Sequence, residues 1–292
     1  MTVFGGIEAG GTKWVCAVGT GPEDILASVA IPTASPDETI DRAHAFLSSA
    51  GPIDALGIGC FGPVDLDPGS PTWGYVTTTP KPGWTRADVA QRLGKRLSVP
   101  VAFDTDVNAA AVGEQRWGAA RGLDTFCYVT IGTGIGGGAV VAGKPVHGLV
   151  HPEFGHLRIP HDDAVDPFPG VCPYHGDCWE GLASGPAIAA RWGKPGEQLA
   201  GEDAVWELEA RYVALGLVSA IAVLSPQRIV IGGGVMEAPG LLGRVRERVV
   251  ELVGGYLDTP ALETAIEDYL VPPSLGARAG VLGAIALASA LA

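Results

Sequence analysis

The amino-acid sequence predicts an α/β fold in two domains, each opening with a β-hairpin closed by a glycine turn. Three observations carry that expectation. At 292 residues the chain has the length of about two domains of roughly 150 residues each. Short apolar runs of β character alternate with longer runs of helical period. A strand–glycine turn–strand unit at the start of the chain recurs near its middle, as a weak internal duplication would leave it.

The elements follow in order. Val3–Glu8 reads as a strand, Ala9-Gly10-Gly11-Thr12 as a turn, and Trp14–Val18 as the returning strand. Ile25–Ile31 is a third apolar stretch. Asp37–Ser49 places Ile40, Ala43, Phe46 and Leu47 at helical spacing. Ala55–Cys60 reads as a buried strand ending at Phe61-Gly62-Pro63. Trp84–Leu97 predicts a helix, Val99–Phe103 a strand and Val107–Trp117 a helix. The pattern then restarts, with Thr125–Ile131 a strand, Gly132–Gly136 a glycine turn and Gly137–Val141 a second strand. Ala204–Leu224 is a long helix, Arg228–Ile231 a strand, Gly232–Gly234 a glycine turn, Leu241–Leu257 an amphipathic helix and Gly280–Ala292 an apolar one.

The expected division is a smaller domain, residues 1–118, and a larger one, 119–279, with the boundary near Gly118–Leu123. Helix 280–292 is expected to pack back on the first domain. Residues 146–180 form an insertion in the second. Val146–Trp179 is rich in His, Pro and Gly and lacks period, the kind of loop on which function concentrates.

Composition narrows the function. The chain has 43 glycines, 23 prolines and 47% hydrophobic residues. Glycine usage is about twice the ordinary level, yet the apolar content supports a buried core. The net charge of −13 leaves no basic footprint for nucleic acid, and it disfavours an anionic membrane surface. The longest clean apolar runs, Val213–Leu224 and Val281–Ala292, hold twelve residues each, short of the ~20 that span a bilayer. The start, MTVFGGIEAGG, lacks a basic segment and meets Glu8 early, so it does not read as a signal peptide. Five cysteines fit a reducing compartment better than a disulfide scaffold. The expected location is cytoplasmic.

Three glycine runs stand out: Gly10-Gly11-Thr12-Lys13, Gly132-Thr133-Gly134-Ile135-Gly136-Gly137-Gly138 and Gly232-Gly233-Gly234. Backbone N–H groups exposed by such turns can cradle phosphate oxygens, or the runs can be tight hairpin turns without a ligand. The second run matches GxGxxG, but β-like Ala139-Val140-Val141 follows where the dinucleotide fingerprint needs a helix. Val101–Asn108 passes from strand to helix through Asp104 and Asp106. A carboxylate there can accept a proton from a substrate hydroxyl in phosphoryl transfer, or either Asp can merely cap the helix. Cys172-x-x-His175-x-x-Cys178 gathers three zinc-type ligands in seven residues, and His156 lies sixteen before Cys172. Together they would make a closed Cys₂His₂ structural zinc site; His147, His151 and His161 are rival fourth ligands. Glu153 and Glu180 flank the cluster, and two carboxylates with an imidazole could grip sugar hydroxyls. Cys16, Cys60 and Cys127 read as small core residues.

Taken together these segments resemble the ROK family of sugar kinases, within the actin-like ATPase superfamily, over nearly the whole chain. Glu8-Ala9-Gly10-Gly11-Thr12-Lys13 is similar to the family's first phosphate loop, and Thr105-Asp106-Val107-Asn108 to its Asn-Asp-x-Asn catalytic segment. Gly132–Gly138 resembles the second phosphate loop, Glu153-Phe154-Gly155-His156 the Glu-x-Gly-His sugar motif, and Cys178-Trp179-Glu180 the Cys-x-Glu end. Gly232–Gly234 and the Gly276-Ala277 region resemble the nucleotide-binding end. Thr77–Trp84 and the Glu8-Ala9-Gly-Gly start look more like the bacterial fructokinase branch than the glucokinases.

The resemblance implies a two-domain actin-like (ribonuclease H-like) fold with a cleft between the domains. It implies a fructokinase using ATP, Mg2+ and structural zinc, with a hexose as partner substrate and a homodimeric state. Glucokinase, mannokinase, N-acetylhexosamine kinase and a non-catalytic sugar sensor are the alternatives. By the same resemblance Asp106 is the catalytic base. Gly62, Asp106, Glu153, His156 and Glu180 face the sugar, and Gly10, Gly11, Thr12, Lys13, Thr133, Gly134, Gly233 and Gly234 face the nucleotide. His156, Cys172, His175 and Cys178 hold the metal. The chain departs from the family pattern at three places: Glu8 stands for the usual Asp, Thr105 for Asn and His175 for Cys. Its phosphate loop starts at residue 8, which leaves no room for the helix-turn-helix of the family's repressors.

Overall fold

The computed structural model describes residues 2–292. It contains two five-stranded mixed sheets built on one plan. The first holds β1 (Phe4–Ala9), β2 (Lys13–Gly21), β3 (Asp24–Pro32), β4 (Ala55–Cys60) and β5 (Val101–Thr105), in the order β3-β2-β1-β4-β5. β1 runs antiparallel to β2 and parallel to β4. The second holds β6 (Phe126–Ile131), β7 (Ile135–Val141), β8 (Lys144–Pro145), β9 (Ile229–Gly232) and β10 (Leu270–Val271), in the order β10-β9-β6-β7-β8. β6 is antiparallel to β7 and parallel to β9. This is the first order read backwards, with β6 in the place of β1. The recurring glycine hairpin is thus the first pair of strands of a repeated sheet.

Helices cover the sheets. α1 (Pro36–Ser49) begins where Ser35 accepts the Glu38 N–H, with Pro36 first and Asp37 and Glu38 in the opening turn, all favourable at a helix N-terminus. It buries Ile40, Ala43 and Leu47 in the core of the first sheet. α2 (Ala90–Leu97) is shorter than the helix expected over Trp84–Leu97. Trp84 is fully buried against Trp14 and Phe61, and its indole N–H donates to the Ala34 carbonyl at 2.9 Å. The chain turns at Thr85–Arg86 instead of continuing as a helix, with the Ala87 N–H donating to the Trp84 carbonyl at 3.1 Å and the Val76 N–H to the Ala87 carbonyl at 3.0 Å.

α3 (Asp106–Trp117) starts directly at the end of β5. α4 (Trp179–Ala183), α5 (Gly185–Trp192), α6 (Asp203–Leu224), α7 (Leu241–Val253), α8 (Pro260–Glu263), α9 (Ile266–Tyr269) and α10 (Ala279–Ser289) complete the set. α7 stops four residues before the expected Leu257, capped by Gly254 in the left-handed conformation. Between β8 and α4 the chain is irregular apart from a helical turn at Phe154–His156. Among the described residues no helix is long and apolar enough to cross a membrane.

α10 lies on the first sheet, packing Val281, Ile285 and Ala288 with Phe4, Ala17 and Ala55. It also crosses α3 in backbone contact. A Cβ on Gly283 would coincide with the Ala109 carbonyl, and one on Gly113 would come within 2.8 Å of the Ala279 carbonyl oxygen. Gly283→Ala is therefore expected to destabilise the protein by roughly 1–3 kcal/mol through overpacking. A thermal melt reads this directly; an unchanged midpoint contradicts the close crossing. α3 in turn packs Val107, Ala110 and Ala111 with Phe126, Tyr128 and Val140 of the second sheet. One helix thus carries the end of β5 between the two sheets.

Candidate active site

The site grows from the carboxyl end of β5, the end at which α/β sheets place ligands. Thr105 is the N-cap of α3: its hydroxyl accepts the Asn108 N–H at 3.1 Å. Neither Asp104 nor Asp106 therefore caps the helix. Asp106 is its first residue, half-buried, with Oδ1 accepting only the adjacent Val107 N–H at 2.9 Å. Burial raises its pKa to about 6.

Other carboxylates meet it there. Glu8, near the end of β1, lies against Gly280 at the start of α10 and accepts the Val281 N–H. Its Oε2 is buried without a hydrogen-bond partner. Burial first, then repulsion from Asp106, raises its pKa to about 7, with Lys13 opposing. Glu153 precedes the Phe154–His156 turn; burial, then Asp106, then Glu180, raise its pKa to about 7 as well. The structure thus puts both Glu8 and Glu153 in the field of Asp106, and Glu153 in that of Glu180, although β1, α3, the insertion and α4 supply them.

Two of the three glycine turns adjoin. Thr133 and Gly134 form the β6–β7 turn, and Gly134 lies under the Glu180 carboxylate, whose Oε2 accepts the Ile135 N–H at 2.9 Å. Gly233 and Gly234 follow β9. Gly233 has φ +94° and lies so close to the Ile131 backbone that a Cβ would overlap it, so only glycine fits. Gly132 sits beside the Gly234 N–H and accepts the Gly185 N–H at 2.8 Å. The run after the turn is strand: Gly136, Gly137 and Gly138 belong to β7 and give Val107, Phe154 and Asn108 room to pack. The expected turn of Gly132–Gly136 is accordingly shorter. Gly10, Gly11 and Thr12 form the β1–β2 turn on the other sheet, and Lys13 opens β2 exposed to solvent. Gly62 follows β4 and lies against the His151 ring.

His156, Cys172, His175 and Cys178 converge with their ligand atoms within 4.8 Å of one another. His156 Nδ1 lies 3.7 Å from Cys172 Sγ and 3.6 Å from Cys178 Sγ, and His175 Nδ1 lies 3.7 Å from Cys172 Sγ. Zn–S bonds of about 2.3 Å and Zn–N bonds of about 2.0–2.1 Å at a tetrahedral angle put N and S about 3.5 Å apart, so the donor set fits zinc. The rival histidines are engaged elsewhere: His161 with the Asp166 carbonyl, His147 with Asp104, and His151 with the Val64 N–H.

Those last two contacts place His147 and His151 beside the strand end that carries Asp106, a position the sequence pattern did not indicate for either histidine. Asp104, Thr105, His147 and His151 all bear on the start of α3 or the loops beside it. The sequence signal for the two histidines was their spacing of four residues, and metal binding competed as its explanation.

The pattern that defines the ROK family matches residues 4–290. A fructokinase of Zymomonas mobilis is 45% identical over 99% of this chain and 97% of its own length. The crystal structure of a ROK hexokinase from Thermus thermophilus superposes with a TM-score of 0.77 at 28% identity, covering 99% of each chain. A ROK glucokinase from Streptomyces griseus, solved with glucose and AMPPNP, gives 0.77 at 27% identity, again covering 99% of each chain. The paired mixed sheets are therefore the actin-like architecture of these sugar kinases, and this chain belongs to the ROK family.

Proposed function

We propose that the protein is an ATP-dependent hexose kinase that phosphorylates the 6-hydroxyl of D-fructose. The observation that carries the chemistry is Asp106: a half-buried carboxylate, free of capping duty, with a pKa raised to about 6 by burial. A base of that strength is ionised at neutral pH yet basic enough to draw a proton as the hydroxyl attacks. The identity to a fructokinase over nearly the full chain supports the substrate.

In this reading Asp106 takes the proton from the 6-hydroxyl while that oxygen bonds to the γ-phosphorus, and the bond to the leaving ADP breaks in line. Glu153, Glu180 and His156 orient the sugar beside Gly62. A metal at the cluster would take Nδ1 of His156, the nitrogen that faces Cys172 and Cys178 Sγ, and leave Nε2 for a hydroxyl. The polyphosphate lies against the amides of Thr133, Gly134, Gly233 and Gly234, with Gly10, Gly11, Thr12 and Lys13 on the opposite side. In a chain of net charge −13, such local donors must outweigh the global field. The unpartnered Oε2 of Glu8 fits a role in holding Mg2+, which when bound neutralises phosphate charge. The zinc would fasten the insertion rather than act on substrate, because four protein ligands leave no open position.

A panel of hexoses with ATP, read by coupled ADP release, tests the assignment. Fructose is expected to show kcat/KM about tenfold or more above glucose, mannose and N-acetylated hexosamines. Preference for one of those sugars moves the substrate within the family. Hexose binding without ADP release for every sugar favours the non-catalytic sensor instead.

A further inference from the structure

Two histidines on one short loop reach across to the first sheet. The loop leaves β8 and is pinned to its own sheet by the Val146 N–H donating to the Ala139 carbonyl at 2.8 Å. His147 Nε2 then meets Asp104 Oδ2 at 2.9 Å, and His151 Nε2 accepts the Val64 N–H at 3.1 Å. Val64 follows β4 and Asp104 lies in β5, so the loop spans the carboxyl ends of adjacent parallel strands.

Asp104 is the junction. It is 4% exposed. Its Oδ1 accepts the Thr105 N–H at 2.8 Å and the Asn108 amide at 2.7 Å. Those two residues are the cap pair that starts α3, and Asp106 lies between them. Oδ2 of the same carboxylate faces His147. The His151 ring lies against Gly62 on one side and has Nδ1 3.5 Å from Glu153 Oε1 on the other. The strap therefore touches the sugar-side positions, whereas the adjoining turns at Thr133–Gly134 and Gly233–Gly234 lie on the second sheet.

We infer that His147 is a positioning residue for hexose phosphorylation: through Asp104 it fixes the first turn of α3 and hence Asp106, and with His151 it holds the 147–151 loop as the wall of the hexose side. His147 itself is half-exposed, so replacing it leaves no cavity, and its effect reads on function rather than folding. The inference rests on Asp106 being the base and the hexose lying beside it.

The test uses the full-length zinc-containing protein with His147→Ala and His147→Gln, measured against fructose and ATP separately. His147→Ala is expected to raise the fructose KM about fivefold or more and to lower kcat, with the ATP KM within about twofold of the parent. The thermal midpoint is expected to stay within about 2 °C. Gln, whose amide can still donate to Asp104, is expected to recover most of the loss. The inference is overturned if His147→Ala leaves every constant within about twofold, if both KM values rise together with a falling midpoint, or if Gln is no better than Ala. Asp106→Asn run in parallel separates the two claims: full activity in that variant defeats the reading of the base, whatever the His147 variants do.

Discussion

Asp106→Asn is expected to lower kcat for hexose phosphorylation by about 10²–10⁴-fold, the usual contribution of a positioned base, while hexose affinity stays within a few-fold. Asn keeps the side-chain oxygen that accepts the Val107 N–H and removes only the proton acceptor. The same substitution is expected to stabilise the fold. The Asp106 carboxyl titrates at about 6, raised from 3.8 by burial, so the native state favours its protonated form. The associated stability is fully present below the unfolded value and is lost as pH rises through about 6. At pH 8 the variant escapes the cost of an ionised buried carboxylate, a gain on the order of 1 kcal/mol, and the gain shrinks toward pH 5. Glu8 and Glu153, each raised to about 7, push in the same direction. In the parent enzyme activity falls as pH drops through the range in which these coupled groups take up protons. Thermal melts at the two pH values and a pH–rate profile check both limbs. Near-normal turnover in Asp106→Asn would sink the base assignment.

The second large effect is expected at the metal cluster. Purified under reducing conditions, the protein should carry about one zinc per chain. Cys178→Ser should lose most of it, lower the melting midpoint and open residues 146–180 to proteolysis. In isolated zinc fingers metal binding supplies about 10–16 kcal/mol of folding free energy. Here the cluster closes an irregular segment with little regular structure between β8 and α4, so a bound metal would be its main fastening. Activity should fall with the metal, because His156 is among the four donors of the cluster and Glu153 and Glu180 lie three residues before it and two after Cys178. Elemental analysis showing no zinc, or a zinc-free variant with the parent's melting curve and protease pattern, contradicts the assignment.

Much of the fold was legible because its signals are local. The β1–β2 and β6–β7 hairpins each show as two apolar runs around glycines, and the shared sheet order explains why the pattern recurs. The misread stretches were also physical in origin. Trp84–Val89 has a helix-like spacing, but burial of the Trp84 ring against Trp14 outweighs it. In sequence the glycine run reads as a turn through Gly136, but Gly136, Gly137 and Gly138 lie in β7 and make room for α3 and the Phe154–His156 turn. Part of the glycine surplus thus serves packing, as at Gly283 over Ala109.

The sequence by itself determined the two hairpins, the strand that delivers Asp106, and three metal-type donors within seven residues. In each case the chain brings the groups together over a few residues. Only the tertiary structure decided which of four histidines completes the cluster, that Thr105 rather than an aspartate caps α3, and that Asp104 meets a histidine 43 residues away. It also decided the strength of the acids at Glu8, Asp106 and Glu153, which comes from burial and, at Glu8 and Glu153, from neighbouring negative charge as well. Periodicity states which face of an element turns inward. Which group it meets there, and how much water is left around the pair, depends on how elements far apart in the chain pack.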